Sequence, residues 1–295
     1  MERLADGIAP GPGAQVKATP PSGGRDPVAL QQKCAAAERL LTCCRLCEFD
    51  CRVDRTRSEL GRCGCDDKSY CYLESLLWGE EQFITPSYAI FFAGCNLRCG
   101  FCYADKINRR PQDYQPVDIA AIAARAGASE AASFSLIGGE PTVHLPSALR
   151  LAALLPHDLP IVWNSNFYFS AAGAALLAGV IDTYIADLHF GNDACAQRIA
   201  GAPRYLEVVG RNLKWAAGQG ALVVRQLALP GHLECCTRPA LEWLAAELPG
   251  TPLHLMTDYL PPEYCEDPML RRSLSESEAT RARELAQELG LTSVE

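Results

Sequence analysis

The chain has 295 residues, 48% of them hydrophobic and 21% charged, enough for one sizeable domain and a small one. Its formal charge of −8 argues against a non-specific nucleic-acid binder, which needs a basic surface. No apolar run reaches the roughly 18 residues of a membrane-spanning helix, and the opening MERLADGIAP lacks an apolar signal core, so a cytoplasmic protein without a membrane partner is expected. Fifteen cysteines in a reducing compartment point to metal or redox chemistry rather than to disulfides.

Residues 1–27 hold five Pro and five Gly without periodicity and read as a disordered leader. VALQQKCAAAERLLTC (28–43) has helical spacing. The stretch 44–71 is dense in Cys, Arg, Asp and Gly. It has too few apolar residues for a core of its own, so a metal is expected to organise it. With the preceding helix it forms a small module over 28–80. From 81 to 262 strand and helix patterns alternate. The strands read as YAIFFA (88–93), FSLIGG (134–139), PIVWNSN (160–166), IDTYIADLHF (181–190), ALVVRQLAL (221–229) and PLHLMTDY (252–259). Helical patterns cover 117–128, 147–155, 170–177, 193–218 and 238–247, and a helical extension fills 263–295. Six alternations predict an α/β fold: a partial (β/α)6 barrel of parallel strands with right-handed crossovers, its chemistry at the C-terminal strand ends.

AGCNLRCGFCYA follows the first barrel strand and spaces Cys95, Cys99 and Cys102 as CxxxCxxC. Three close thiolates suit a 4Fe-4S cluster and leave one iron for another ligand. A zinc knuckle is the competing reading, but it needs a fourth ligand, and the nearest downstream cysteine is Cys195. The second strand ends in Gly138-Gly139-Glu140-Pro141. Alone, such a run also suits an ordinary strand-to-helix turn.

Together, the CxxxCxxC loop with Phe101 before its third cysteine and the GGE run resemble the radical S-adenosylmethionine (SAM) superfamily. The resemblance implies that SAM chelates the open iron and is reductively cleaved to a 5′-deoxyadenosyl radical that abstracts hydrogen from a substrate. It implies an electron donor such as flavodoxin or ferredoxin. Gly138 and Gly139 would let backbone carbonyls approach the SAM ammonium, and Glu140 would add a charge-assisted contact. Asn164, Ser165 and Asn166 end the third strand and are candidates for the ribose or carboxylate; Asn and Ser also favour turns. Asp187 ends the fourth strand, with His189 where related enzymes carry Lys. Arg225, on the fifth strand, needs an anion at that depth; the SAM carboxylate and a structural ion pair are the alternatives. Met256, Asp258 and Tyr259 end the sixth strand and are candidates to line the cavity, with core packing the alternative for Met256.

The segments CRLCEFDCRVDR, GRCG and LLWGEEQFITPSYAIFFAGCNLRCGFCYADKI extend the resemblance to the pyruvate formate-lyase activating-enzyme-like branch, in its members with an extra N-terminal cysteine module. In that module Cys44, Cys47, Cys51 and Cys63 can hold zinc, mononuclear iron or an auxiliary 4Fe-4S cluster, with a single structural ion favoured. Cys235, Cys236 and Cys265 are weaker candidates for another site. Within a radical enzyme two substrate classes compete: a protein or peptide, slightly favoured as for glycyl-radical activases, and a small metabolite. A non-catalytic metal sensor or scaffold is the alternative outside enzymology.

Overall fold

A computed structural model describes residues 25–79 and 81–294. The leader expected over 1–27 lies outside the described residues up to position 24. The last three leader positions belong to the fold. Arg25 is buried and donates to the carbonyls of Pro156 and Leu159 at 2.5 and 3.0 Å, and Asp26 caps the first helix, α1 (Pro27–Leu41).

One eight-stranded sheet forms the centre. Its strands are β1 (Tyr70–Leu77), β2 (Ser87–Phe92), β3 (Gln115–Pro116), β4 (Ser133–Gly138), β5 (Ile161–Ser165), β6 (Thr183–Asp187), β7 (Ala221–Leu227) and β8 (Leu253–Met256). They are ordered β3-β1-β2-β4-β5-β6-β7-β8. The run from β2 to β8 is parallel throughout and supplies the six expected barrel strands. Crossovers are made by α3 (Ile119–Gly127), α4 (Leu145–Leu154), α5 (Ala171–Leu177), α6 (Asp193–Ala200) with α7 (Tyr205–Ala217), and α8 (Arg238–Glu247); a short α2 (Asp105–Arg109) follows the cysteine loop, and α9 (Glu276–Glu288) closes the chain. α9 starts with a capping box between Ser275 and Glu278. Residues 292–294 then bond to Leu253 at the outer edge of the sheet.

The short α2 and β3 were not expected, and two larger differences from the sequence reading have local causes. The helix expected over 193–218 is two helices, because Gly201 takes a left-handed conformation (φ 64°) and Pro203 follows within two residues. β1 went unrecognised: it pairs antiparallel with β2 and needs no crossover helix, and YCYLESLL has no clean two-residue alternation.

Strand alternation sorts the core. Trp163, Tyr184 and Val224 pack outward beneath the helices, while Val162 and Ile185 meet Ile84 inside the barrel. Inside, the Ser133 hydroxyl donates to the Ile84 carbonyl at 2.6 Å, and Ser87 and Ser135 lie 2.6 Å apart. The segment before β2 therefore plugs the barrel at the N-terminal ends of its strands. The cysteine-rich stretch uses the barrel's core instead of building one. Leu46 is buried in the main cluster, Phe49 packs against Tyr168 with ring centres 5.1 Å apart, and Glu48 N–H donates to the Tyr168 carbonyl. α1 lies on α4 and α5, with Lys33 donating to the carbonyls of Ala175, Leu176 and Ala178.

Candidate active site

The three motif cysteines lie on the loop leaving β2, at the C-terminal end of the barrel, as free thiols. Two carboxamides reach their sulfurs. Asn166 Nδ2 is 3.6 Å from Cys95 Sγ and 2.8 Å from Asn96 Oδ1; Asn108 Nδ2 is 3.5 Å from Cys102 Sγ. Asn108 Oδ1 in turn accepts from Gly94 N–H at 3.3 Å, tying α2 to the start of the loop. The far side of the loop rests on α6: Arg98 and Gly100 N–H groups donate to the carbonyls of Ala200 and Ile199, each at 2.9 Å. Burial pushes the Cys95 and Cys99 thiols far above their ordinary range, helped by Glu140 and the other thiols at Cys95 and by Cys102 and Asp187 at Cys99. As free thiols they are neutral, and only a bound cation would stabilise them as thiolates. Three buried soft donors with amide N–H groups aimed at two of them fit an iron–sulfur cluster.

The GGE run is packed against this loop. Gly138 has φ 115°, and a Cβ there would fall 2.2 Å from the Phe92 nitrogen. A Cβ at Gly139 would fall 2.1 Å from Asn108 Oδ1 and 2.2 Å from the Gly94 carbonyl oxygen. Both glycines are thus required by backbone packing at this junction. Glu140 is fully buried, and its carboxylate accepts from Ser165 Oγ (2.8 Å), Asn166 N–H (2.9 Å) and Thr142 N–H (3.0 Å). Those bonds join the end of β4 to the end of β5. The charge-assisted contact expected from Glu140 toward SAM therefore has its acceptor already engaged within the chain.

Arg225 departs from the SAM-carboxylate expectation. Its guanidinium pairs with fully buried Glu81, at 2.5 Å (Nε) and 2.7 Å (Nη2), and the His254 ring adds a contact at 3.2 Å. Burial would raise the Glu81 carboxyl, but the His254 hydrogen bond and the Arg225 charge outweigh it and hold the group at about 2 against an ordinary 4.5. The anion that Arg225 needs comes from the chain itself, the structural ion pair of the two alternatives.

The remaining candidates converge beside the cysteine loop. Phe101 is buried edge-on to His189 at 5.3 Å and against Phe190 at 6.1 Å. His189 Nε2 is 3.6 Å from Asp187. Asn164 is buried one residue before Ser165. Tyr205 underlies this corner: its hydroxyl accepts from His189 N–H at 3.0 Å and donates to the Asp187 carbonyl at 3.2 Å. At the sixth strand, Tyr259 donates to the Leu270 carbonyl at 2.7 Å and belongs to the core, and Asp258 is exposed. The segment beyond β8 folds back over the loop, where the Tyr264 hydroxyl sits 2.9 and 2.7 Å from the carbonyl oxygens of Cys102 and Tyr103. Asn96, Asn108 and Tyr264 were not singled out in the sequence. Only the position of the two asparagines beside or just after the motif hints at them.

The radical SAM superfamily pattern matches residues 89–244, from the first barrel strand into α8. The chain belongs to the radical SAM superfamily. It is an enzyme of SAM-dependent radical chemistry that uses a 4Fe-4S cluster and SAM and, as such enzymes generally do, needs a reductant. Uncharacterized protein MJ0674 of Methanocaldococcus jannaschii is 34% identical over 276 residues, which cover 90% of this chain and 80% of that protein. Among solved structures, Streptococcus suis SuiB bound to S-adenosylmethionine is similar at a TM-score of 0.52 and 16% identity, covering 66% of this chain and 44% of SuiB. SuiB bound to precursor peptide SuiA is similar at 0.51 and 15%, covering 68% of this chain and 46% of that one. The chain thus spans less than half the length of SuiB, and at that identity the likeness concerns the fold. Among the described residues no helix is long and apolar enough to cross a membrane.

In the N-terminal module the four expected cysteines are neighbours. Cys47 is raised by burial first and then by the nearby charges of Cys63, Cys44 and Cys51. The module is braced against the catalytic loop: Arg62 Nε donates to the Asn96 carbonyl and Nη2 to the Gly201 carbonyl, both at 3.1 Å. Buried Arg55 donates to the Asp66 and Val143 carbonyls at 2.7 and 2.9 Å. Among the described residues, however, the set of His, Cys and carboxylate ligand atoms that all lie within 4.8 Å of one another is elsewhere: Cys195, His232, Cys235 and Cys236.

Proposed function

We propose that the enzyme abstracts hydrogen from a protein or peptide, in the manner of a glycyl-radical activase. The observation that carries this reading is the open sheet. β8 and β3 are the two ends of the strand order, and among the described residues no strand pairing joins them; residues 292–294 bond β8 only at Leu253, so the barrel keeps a lateral gap through which an extended segment can reach the strand ends. That a SuiB structure is bound to a precursor peptide supports the same use of the fold.

Cys95, Cys99 and Cys102 would hold the cluster, which with SAM supplies one-electron cleavage of the sulfonium and a 5′-deoxyadenosyl radical. Asn166 and Asn108 orient the sulfurs of Cys95 and Cys102 and donate to them. Glu140 fixes Asn166 by accepting its backbone N–H. Phe101 excludes water from the corner beside His189. Gly138, Gly139, Asn164 and Asp187, at the remaining strand ends, would be the groups that face SAM; Ser165, donating to Glu140, and Arg225, paired with Glu81, would not. Cys44, Cys47, Cys51 and Cys63 would hold a second metal, and a flavodoxin or ferredoxin would deliver the electron.

The test uses the reconstituted enzyme, SAM, a reductant and extract from cells grown on deuterated medium, separated by dialysis. Deuterium should enter 5′-deoxyadenosine from the macromolecular fraction. Deuterium arriving only from the dialysable fraction would assign the enzyme to a small metabolite.

A further inference from the structure

A second side-chain cluster lies one helix away from the catalytic loop. Cys195 is in the first turn of α6, just after β6. His232, Cys235 and Cys236 lie just after β7, where Leu233–Thr237 forms one π-helical turn leading into α8. The wide turn matters. Both Cys236 and Thr237 N–H groups reach the His232 carbonyl, at 2.9 and 3.2 Å, so the imidazole and two consecutive cysteines share one side of the turn.

The ligand atoms converge on a point. Cys195 Sγ to Cys235 Sγ and Cys235 Sγ to Cys236 Sγ are each 3.8 Å. His232 Nδ1 lies 3.2 Å from Cys235 Sγ, 3.8 Å from Cys195 Sγ and 3.9 Å from Cys236 Sγ. A tetrahedral zinc ion with bonds of about 2.3 Å to sulfur and about 2.0 Å to nitrogen has edges of about 3.8 Å between sulfurs and about 3.5 Å from sulfur to nitrogen. The two S–S distances match that edge, the three S–N distances of 3.2, 3.8 and 3.9 Å bracket theirs, and all four ligand atoms lie within 4.8 Å of one another. A disulfide, at about 2.05 Å, is far shorter. A 4Fe-4S cluster spreads its cysteine sulfurs wider than a single ion does, because iron and sulfide stand between them. We infer that Cys195, His232, Cys235 and Cys236 form a structural Cys3His site for a single zinc ion, distinct from the catalytic cluster and from the N-terminal module.

The surroundings are built for it. Asn192 caps α6 by accepting Cys195 N–H at 2.8 Å, and its amide donates to the Cys235 carbonyl and lies 3.8 Å from Cys236 Sγ. The polypeptide thus holds the two segments together before any ion binds. Arg198 Nη2, in the Arg198–Asp267 ion pair, donates to His232 Nε2 at 3.2 Å; ligation through Nδ1 would place the ring proton on Nε2 and replace that bond. That proton needs an acceptor, so the pair must turn its carboxylate toward the ring; a carboxylate behind a ligating histidine is a common arrangement. All four positions come from the protein, which marks a closed site without a place for substrate. The ion would pin the start of α6 to the turn before α8. The other end of α6 carries the Ile199 and Ala200 carbonyls that hold the catalytic loop. The site therefore fixes the wall on which that loop rests, whatever the enzyme's substrate.

Elemental analysis of the full-length enzyme tests this. Cys236→Ser and His232→Ala should each lose one zinc per chain while iron stays unchanged. Zinc equal to that of the unmutated chain in both variants overturns the assignment. Should the variants fail to fold, anomalous diffraction at the zinc edge from crystals of the unmutated chain decides: a peak among the four ligand atoms is expected. No peak, an iron peak there, or a bond between Cys195 and Cys235 overturns it.

Discussion

Both amide hydrogens of Asn166 are committed, one to Cys95 Sγ and one to Asn96 Oδ1, while its carbonyl oxygen accepts from Tyr168 N–H at 2.9 Å. Hydrogen bonds to cluster sulfurs raise a reduction potential by stabilising the more negative state. Asn166→Ala and Asn108→Ala should lower the potential of the catalytic cluster with iron content retained. A shift on the order of 59 mV, tenfold in a one-electron equilibrium, is expected. A redox titration followed by electron paramagnetic resonance reads it; identical potentials in both variants would show that these amides do not reach ligated sulfur. Glu140 gives a second prediction. Glu140→Ala removes the acceptor for three buried donors, each worth about 1–3 kcal/mol when left unsatisfied. The variant should lose stability in urea denaturation and, by releasing Asn166, weaken SAM binding. Unchanged stability would exclude the bracing role. The sequence marked Glu140 and Asn166 as important but pointed both at SAM, because a buried carboxylate and a strand-end amide look alike whether they face a ligand or each other.

Among the elements, the plug before β2 and strands β7 and β8 meet through Glu81, Arg225 and His254. Glu81 titrates at about 2 in the folded protein and near 4.5 when unconstrained. Its folded value is depressed, so its contribution is complete above about pH 4.5 and is lost as the pH falls toward about 2. A shift of this size corresponds to on the order of 3 kcal/mol. Urea denaturation at pH 7 and pH 3 should show a smaller acid loss for Glu81→Gln than for the unmutated chain; equal losses would refute the linkage. Arg225→Met, which takes the guanidinium from a buried carboxylate and leaves it the His254 contact, should cost up to about 3–5 kcal/mol at pH 7. The six barrel strands were legible because each is a short apolar run bounded by turn residues. β1 was not, since an antiparallel strand added to a barrel edge carries no crossover helix to announce it.

For the whole molecule, the metals give a separable prediction. Changing Cys95, Cys99 and Cys102 to Ala should abolish 5′-deoxyadenosine formation from SAM and remove about four irons per chain. Metal in the N-terminal module should persist in that variant and disappear on changing Cys44 and Cys47. Formation of 5′-deoxyadenosine at the original rate by the triple variant would sink the mechanism. Loss of the module's metal is not expected to unfold 44–71 completely, because Leu46, Phe49 and Arg55 are anchored to the barrel. Limited proteolysis of the Cys44, Cys47 variant measures that anchoring: rapid cleavage throughout 44–71 would mean that metal, not packing, holds the segment.

By itself the sequence determined the chemistry and the scaffold. Cysteine spacing is local, as is the strand-then-glycine pattern, so the cluster loop, the GGE run and the order of six parallel strands could be read without coordinates. The partners of each charge belonged to the tertiary structure. Arg225 and Glu81 are 144 positions apart and meet because the segment before β2 plugs the inside of the barrel; Cys195 and Cys235 are 40 apart and meet because the neighbouring parallel strands β6 and β7 end on one side. Spacing along a chain cannot report such meetings. The curling of the sheet decided which cysteines gather and which carboxylates are engaged within the protein.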